Sequence, residues 1–586
     1  MASSGSLGPN TYSSLTCFIF LFNVIVGTGV LTLPAAFQHA GWLISVLVIV
    51  ILCFLSFLTF TFVIEALSIT NVLQRMKGVH TPPEEHGSGE SIAGKMSSDV
   101  LRFRITANDF LITDKYELGQ MSLIYFGNLG NILFYLNVCT YLYGDLAIYS
   151  TAVPKSLRNV VCSFNNSRNS SISDFDLCWA SSSLTRLDVY RIFVVCFGAF
   201  VLPFLFFNVI RSRWLQLLTV CLRWIGFILM FSLSIERAII LHMQMKTSTF
   251  QLYSCVYWNP SIYTLSTQRE PIPRPPAFQP HNIPSLFGVC VYVFMCHHSI
   301  PGIVTPVKNK HNILYRVFLP VFITVLLFNL LLSGTAVIAF NHIEDLYTLN
   351  FTPNKEFIDI SQIPYTIALI FGYFLCLFPV FALTSSYPII GTSLLGNIYS
   401  LCHYFPICQS DTVQRILKYT LPFIVLLPPL CIALITDDVG YLTGFTGAIF
   451  GSGIQYIIPA VLVYKARQQF TNFILSQNDI IVTIKGRQNH YDDNELTTTD
   501  NNDIVVPTSS YSNAALANSE NNEIYSSTEH LTMEQSVSVI GKCSQHRLAA
   551  ISMHASPFQH CFWIIMILIW ALFCIVIVLI DKIHHV

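Results

Sequence analysis

Two short interruptions within long apolar stretches hold the residues whose types and spacing best suit the binding of a small solute. The first reads FNVIVGTGVLTLP over residues 22–34, and the second reads MCHHSIPG over residues 295–302. Gly27 and Gly29 permit backbone torsions that a helix does not take, and Pro34 removes an amide donor. The Pro-Gly pair after the two histidines likewise disfavours a continuous helix. Both breaks would free backbone groups, which hydrocarbon tolerates only inside protein or beside a cavity.

Interrupted helices at corresponding positions in two halves of a transporter point to its binding site. The two breaks correspond if helices one to five and six to ten are inverted repeats. We therefore predict that a small zwitterion binds at Val26, Gly27, Thr28, Gly29, Val30, Cys296, His297, His298 and Ser299. The amides of Gly29 and Val30 would meet its carboxylate, and carbonyls near Val26 and His297 its ammonium group. The alternative is that Gly27 and Gly29 only allow close helix packing.

Ionisable side chains also lie within apolar stretches. Arg223 and Asp145 could pair across the fifth and third helices, either as a structural ion pair or as part of a gate. His297 and His298 could carry a proton, or could bond a carbonyl freed by the break. The Gly-x-Gly run lacks the lysine and the strand–helix context of a nucleotide-binding loop. Any transport would therefore be secondary rather than driven by ATP.

The composition is that of a multi-pass membrane protein. Only 11% of the 586 residues are charged and 53% are apolar, with a mean hydropathy of +0.57 and a net charge of −1. An average soluble domain carries about 25% charged residues. These values exclude a soluble enzyme, a secreted disulfide-rich domain and a nucleic-acid binder with a basic excess. Acids, histidines and serines show no catalytic spacing at a membrane boundary, so no enzymatic activity is expected.

A membrane-spanning helix needs about 20 apolar residues. Eleven stretches meet this requirement and predict an all-α integral membrane protein: 15–37, 42–66, 129–153, 190–210, 214–241, 284–305, 317–340, 363–391, 416–436, 440–464 and 558–580. Spans one to five fall within 15–241 and spans six to ten within 284–464, with 558–580 as one extra helix. Long unbroken apolar runs differ from the alternating strands of a β-barrel.

The distribution of Lys and Arg predicts a cytoplasmic N-terminus at residues 1–14 and an outer C-terminus at residues 581–586. Three glycosylation sequons, at Asn165, Asn169 and Asn350, then fall in outer loops, with Asn350 the least favourable because Pro353 follows it. The segments 67–128 and 465–557 would lie inside, and 154–189 and the Pro-rich 242–283 outside. The polar composition of 465–557 predicts disorder, and this tail could dock other proteins.

Most of the 17 cysteines lie in predicted helices, where they behave as small apolar residues. Only Cys162, Cys178 and Cys255 fall in outer loops. One disulfide among them is plausible, for example Cys178–Cys255, and the alternative is that all three are free thiols. No Cys/His spacing resembles a metal site, and no cofactor is expected.

The run from Asn23 to Leu31 closely resembles the first helix of the amino acid/auxin permease family, which includes the sodium-coupled neutral amino acid transporters. The large inner loops and the separate last helix resemble its transmembrane protein 104 branch. This resemblance implies a five-plus-five inverted repeat (LeuT-like) plus one C-terminal helix. It also implies an amino acid substrate at the two breaks and Na⁺ or H⁺ as the coupling ion of a symporter.

The same resemblance assigns Asn23 to sodium binding, and a side-chain carbonyl suits a hard cation. Family members carry a hydroxyl residue just before the proline that is Pro379 here. This chain has Leu377 or Phe378 at that place, and its hydroxyls follow the proline. Thr384 and Ser385 are therefore the candidates to complete a cation site with Asn23.

The leading hypothesis is a secondary transporter of amino acids or similar zwitterions. The alternative is a nutrient-sensing receptor or scaffold that binds the same solute without net transport. The expected partners are the small-molecule substrate and the lipid bilayer, with no nucleic acid. The expected location is the plasma membrane or an endolysosomal membrane.

Overall fold

A computed structural model provides the structure of this protein. It describes residues 11–80, 104–105, 110–162, 174–179, 183–206, 213–258, 276–308, 310, 312–353, 363–402, 410–476, 481–485, 503–505 and 554–584. The sequons at Asn165 and Asn169 and most of the predicted disordered tail lie outside these residues.

Apolar helices dominate the described chain. They are α1 (Ser14–Ile25), α2 (Gly29–Ala40), α3 (Trp42–His80), α4 (Leu118–Val161), α5 (Arg186–Phe206), α6 (Arg213–Trp258), α7 (Ile283–Val293), α8 (Ile300–Val304), α9 (Leu319–Ala339), α10 (Tyr365–Cys402), α11 (Asp411–Ile435), α12 (Val439–Thr446), α13 (Ile458–Ser476) and α14 (Cys561–His584). Short 3₁₀ turns cover Pro280–Asn282, His297–Ser299 and Tyr347–Phe351, and π-helical turns cover Leu314–Phe318, Gly447–Gly451 and Gly453–Ile457.

The expected number of membrane spans is confirmed for the described residues. Ten helical segments are long and apolar enough to cross a bilayer, and the bent pair α1 and α2 makes an eleventh. If every span crosses, the chain alternates sides, and α4, α6, α9, α11 and α14 begin on the side where α1 begins. We call this the N-terminal side and the other the far side. The inverted-repeat relation between the two sets of five spans stays a prediction.

Several helices run beyond their apolar stretches. The first long inner segment was predicted to start at residue 67, but α3 continues to His80. The backbone of α6 continues to Trp258, into the predicted outer loop, and α13 continues to Ser476, into the predicted disordered segment. Polar residues end a hydropathy window but do not end a helix, because Lys, Gln and Arg have good helix propensity. Hydropathy therefore located the spans but not their ends.

Three short strands accompany the helices: β1 (Arg104–Ile105), β2 (Ile481–Lys485) and β3 (Asp503–Val505). β1 pairs parallel to β2, with Arg104 opposite Ile481, and β2 pairs antiparallel to β3, with Ile484 opposite Ile504. They connect the backbones of the two long segments predicted to lie on the N-terminal side.

Buried apolar side chains fill the interior, and large apolar side chains also cover the outer surface. Phe60 packs edge-on against Phe318 and Phe322, with ring centroids 4.7 and 5.4 Å away. On the outside, Leu129 is 72% exposed and Ile435 is 85% exposed. A soluble monomer does not expose so much apolar surface, whereas lipid covers it without cost.

One disulfide is present among the described cysteines, and it joins Cys162 to Cys178. The suggested Cys178–Cys255 pair is therefore wrong. Cys162 ends α4 and lies 16 residues before Cys178, and both side chains are buried with Val189 in a small cluster. The bond closes a short loop beside α5, rather than tying two loops together.

A buried ion pair fastens the region before α14 to the bundle. Arg467 of α13 donates from Nε and Nη2 to both carboxylate oxygens of Glu65 in α3, at 2.7 Å each. The amide of Ser556 donates to the same carboxylate at 2.9 Å, and Arg467 Nη1 donates to the carbonyl of Gln559 at 2.9 Å. Glu65 has no exposed surface. The two charges can be buried together in the protein because most of their hydrogen bonds are satisfied.

Removing one partner of this pair should destabilise the fold strongly. Arg467→Ala leaves the Glu65 carboxylate buried and unpaired, which costs about 3–5 kcal/mol. Thermal unfolding of the purified protein would measure the loss. The control is Lys115→Ala, which removes an exposed ion pair with Glu117 and should cost no more than about 1 kcal/mol. Equal effects of the two substitutions would contradict a structural role for the buried pair.

Candidate substrate-binding site

The first span breaks where the two glycines predict. α1 ends at Ile25, α2 begins at Gly29, and the two axes differ by 54°. The amide of Gly27 donates to the carbonyl of Ile25 at 2.9 Å, instead of to Asn23 four residues back. The break therefore frees the Asn23 carbonyl and leaves the first amides of α2 without helical acceptors.

The sixth span breaks in the same way. α7 ends at Val293, a 3₁₀ turn covers His297–Ser299, and α8 begins at Ile300. The amide of Ser299 donates to the carbonyl of Cys296 at 3.0 Å, so local turns replace the helical ladder. The two histidines are consecutive residues of this turn, and consecutive side chains of a turn point in different directions.

Both breaks face one cavity of about 690 Å³. Thr28 of the first break and Tyr292 of α7 line its deep end together, with their hydroxyls 3.0 Å apart, and residues of α4 and α10 form its walls. It extends along α10 to Ser400 and reaches Glu117, whose side chain is 64% exposed and which caps the short part of α4 that precedes a kink at Gly127. Both ends of this path lie on the N-terminal side. The cavity is therefore accessible from that side.

Five of the nine predicted substrate-binding residues line the cavity: Gly27, Thr28, Gly29, His298 and Ser299. The other four are buried elsewhere: Val26, Val30, Cys296 and His297. Their side chains contribute to the core around the breaks. What they can offer a ligand is therefore limited to backbone groups.

The two histidines have different surroundings and therefore different roles. His297 is fully buried, and its Nε2 lies 3.0 Å from the hydroxyl of Thr59 and 3.3 Å from the carbonyl of Ser56, both on α3. His297 thus anchors the second break to the neighbouring helix α3. His298 is exposed to the cavity, with its ring 6.1 Å from that of Tyr141. His298 alone of the pair can meet a ligand.

A carboxylate lies at the deep end of the cavity. Asp145 of α4 is 6% exposed and interacts with the hydroxyls of Tyr141 and Tyr292. The Tyr292 hydroxyl lies 3.0 Å from that of Thr28, so this group connects the carboxylate to the first break. Oδ1 of Asp145 has no hydrogen-bond partner. A buried oxygen without a donor is the acceptor that an ammonium group would satisfy.

Arg223 does not pair with Asp145 in the part of the chain that the structure describes, so that prediction is wrong. Its Nη1 donates to the carbonyls of Asn23 and Val26, at 2.9 and 3.1 Å. Trp224 stacks on Phe22 beside it, with ring centroids 5.0 Å apart. The guanidinium therefore satisfies the carbonyls that the break frees. The Val26 carbonyl, assigned to the substrate, already has a donor.

The three candidate cation-binding residues do not meet at the cavity. Asn23 lines it, but Thr384 and Ser385 do not, and Ser386 lines it instead. The Ser385 hydroxyl donates to the carbonyl of Ala382 at 3.0 Å, which is an internal helix contact. No group of three or more His, Cys, Asp or Glu side chains in the described ranges is arranged to hold a metal ion.

The two glycines of the first break have different roles. A Cβ at Gly27 would meet no atom within 4 Å and would project into open space beside the cavity. A Cβ at Gly29 would lie 2.8 Å from the ring of Tyr292 and 3.2 Å from the Cα of Val293. Gly29 therefore permits the close approach of α2 and α7. Close packing, the alternative reading of both glycines, holds for Gly29.

Sequence reasoning missed Tyr141, Tyr149, Tyr292 and Ser386 as cavity residues. Tyrosines in apolar helices carry no signal of their own, because most pack in the core or at the membrane interface. Asp145 did carry a signal, since a lone acid inside a span usually faces the bundle interior.

Charged contacts join several elements at the far side of the bundle. Lys155 of α4 donates to Asp345 at 2.7 Å and to the carbonyl of Asp437 at 2.9 Å. Arg158, one turn further, pairs with Asp437 at 3.0 Å and with Asp174 at 2.9 Å. These bonds join α4 to the segment after α9 and to the turn between α11 and α12. The Asn350 sequon lies nearby, and its amide nitrogen donates to the carbonyl of His342 at 2.8 Å.

Up to eleven candidate spans, two of them broken beside one cavity, define a multi-pass integral membrane protein with a solute-sized cavity among its helices. Comparison with known families agrees. A family described as "Transmembrane amino acid transporter protein" matches residues 10–479. The chain belongs to this transmembrane amino acid transporter family, and it is also similar to transmembrane protein 104 and to homologues of that protein.

Those relatives cover most of the chain. Transmembrane protein 104 of Homo sapiens is 38% identical over 481 residues, which are 78% of this chain and 88% of the human protein. The Drosophila melanogaster homologue is 36% identical over 495 residues, covering 79% and 90% of the two chains. The Caenorhabditis elegans homologue is 35% identical over 500 residues, covering 80% and 90%.

The two glycines should respond differently to the same substitution. Gly27→Val should fold normally but occupy cavity space and weaken amino acid binding. Gly29→Val should lower the free energy of unfolding by about 1–3 kcal/mol, because the new side chain collides with Tyr292 and Val293. Thermal unfolding and ligand-induced thermal shifts would separate the two effects.

The control is Gly334→Val in α9, where a Cβ also meets open space but away from the cavity. It should change neither stability nor binding. If Gly27→Val bound amino acids as well as Gly334→Val does, the first break would not form the site.

Proposed function

We propose that this protein is a secondary transporter of amino acids or similar small zwitterions. The observation that carries the proposal is that both broken spans open into one cavity, with a carboxylate at its deep end. Exposed helix ends at a cavity are the sites where transporters bind solutes and ions. Membership of the amino acid transporter family supports the same substrate class.

The structure suggests how a zwitterion would be held. Its carboxylate would accept from the free amides at the start of α2, at Gly29 and Val30, where the helix dipole favours negative charge. Its ammonium group would donate to Oδ1 of Asp145, which has no other donor. This replaces the Val26 carbonyl, which Arg223 occupies. The side chain of the substrate would then face Tyr141 and His298.

The one-sided cavity fits one state of an alternating-access cycle. The far side is closed by the ion pairs of Lys155 and Arg158, and the N-terminal side is open. With the N-terminus in the cytoplasm, the described state faces inward. The protein would act in the plasma membrane or in an endolysosomal membrane, with its far side facing the exterior or the lumen. A protonatable group for H⁺ coupling is available in Asp145 or His298.

A direct test uses purified protein. A thermal-shift screen of the common amino acids identifies those that stabilise the folded state, and labelled uptake into proteoliposomes then measures flux. Uptake of the same amino acid that gives a shift is the expected result. Binding without flux would favour the alternative, a nutrient-sensing receptor or scaffold. The proposal would be overturned if the protein neither bound nor transported any amino acid.

Asp145→Asn should weaken binding of that amino acid by about 10- to 100-fold, because a charge-assisted hydrogen bond is worth about 1.5–3 kcal/mol. The matched control is Glu117→Gln, which neutralises an acid at the mouth of the same cavity and should have little effect. Titration of the thermal shift gives both affinities. Equal losses in the two variants would show only a general electrostatic effect.

The orientation is tested by glycosylation. We expect glycans at Asn165 and Asn169, so the double change to Gln should give a faster-migrating band. Asn350 should carry none, because its amide nitrogen already bonds to His342 in the fold. A glycosidase that caused no shift in the intact protein would contradict a cytoplasmic N-terminus.

A further inference from the structure

We propose that Arg223 serves as a built-in cation at the first break and makes this transporter independent of sodium. The inference depends on the proposed function only where it calls the protein a transporter. Its central observation is independent of that function. One nitrogen of Arg223 donates to the two carbonyls at the end of α1, those of Asn23 and Val26, at 2.9 and 3.1 Å.

The end of α1 is where a bound cation would be expected. In transporters with broken helices, unwound carbonyls and the C-terminal ends of half-helices coordinate Na⁺. The local structure explains why the Asn23 carbonyl is available, since Gly27 donates to Ile25 instead. The negative end of the helix dipole adds to the attraction. The two carbonyls need donors, a positive charge is favoured at this place, and the chain supplies both from α6.

A sodium ion could not share the place with the guanidinium. Two unit charges 4 Å apart in a partly screened protein interior repel enough to weaken binding by about a thousandfold. The remaining expected ligands are also absent from the cavity, because Thr384 and Ser385 do not line it. The side chain at Asn23 alone would give a poor cation site.

The position of Arg223 is fixed by its neighbours on α6. Trp224 stacks on Phe22 of α1, at 5.0 Å between centroids and 9° between ring planes. Two residues after Trp224, Gly226 lets α6 approach Phe378 of α10, because a Cβ there would lie 2.8 Å from its ring. These contacts hold the guanidinium against α1. Unlike a coupling ion, it cannot leave with the substrate.

The test uses the full-length protein in lipid nanodiscs and needs no substrate. Thermal unfolding is measured in NaCl, KCl and choline chloride at equal ionic strength. The wild type should unfold at the same temperature in all three salts. Arg223→Ala should lower Tm by roughly 2–4 °C or more in choline chloride, because two carbonyls lose a charged donor. NaCl or millimolar methylguanidinium should restore part of that loss, since either cation can occupy the vacated place.

Two further variants make the result specific. Arg223→Lys keeps the positive charge and should remain insensitive to the choice of salt. Arg237→Ala is the matched control on the same helix: Arg237 donates to the carbonyl of Ala339 at the end of α9, at 2.9 Å, but does not line the cavity. It should lose stability without any recovery in NaCl beyond that in KCl and choline chloride.

Specific stabilisation of the wild type by Na⁺ would overturn the inference. An Arg223→Ala variant that responds to neither Na⁺ nor methylguanidinium would also overturn it, and would leave Arg223 a structural cap. These outcomes do not depend on amino acid binding. Failure to bind or move any amino acid would reject the proposed function and leave this inference standing. If proteoliposomes take up an amino acid, the rate of uptake should be the same whether the external medium contains Na⁺ or choline.

Discussion

The whole structure depends on one constraint: every backbone group freed inside the membrane must find a partner within the protein. Continuous helices meet it automatically, and the two breaks at Val26–Thr28 and Phe294–Ser299 do not. Each break must therefore be matched by polar groups from neighbouring helices. Arg223 reaches the first break from α6, and His297 fixes the second against α3. The polar groups at the breaks that no neighbouring helix satisfies are left for a ligand in the cavity. These groups form the proposed binding site.

The same constraint explains the deep placement of ionised groups. Glu65 and Arg467 lie buried because the pair and the segment near Ser556 satisfy one another. Asp145 differs from this pair, since its buried Oδ1 has no hydrogen-bond partner and the residue lines the cavity. Among the described residues Oδ1 of Asp345 also lacks a partner, but Asp345 does not line the cavity, so Asp145 is the buried carboxylate that a ligand in the cavity can reach.

Local properties were predictable from the sequence, and partner choices were not. Apolar length predicted the spans, and Gly27 predicted the first break, because hydropathy and torsional freedom belong to single residues. Arg223 was recognised as an intramembrane charge, but its pairing was predicted wrongly. An arginine can neutralise a carboxylate or a pair of carbonyls, and only the position of α6 against α1 decides between them. The pairing of Cys162 with Cys178 was likewise not predictable, because it depends on which cysteines the fold brings together, and hydropathy does not describe that.

The charged contacts on the far side have a property that apolar packing would lack. Lys155 and Asp345 are largely buried, with side chains 11% and 19% exposed, and moving them apart at the edge of the bundle would bring both charges into solvent. When such a pair separates toward water, hydration replaces the lost attraction, and neither charge remains buried and unpaired. Separating apolar helices there would instead expose surface at about 25 cal/mol per Å². An ionic contact at this end can therefore have a well-defined geometry and still cost little free energy to separate. A cavity that must open to each side in turn needs this combination at the end that the described state keeps shut.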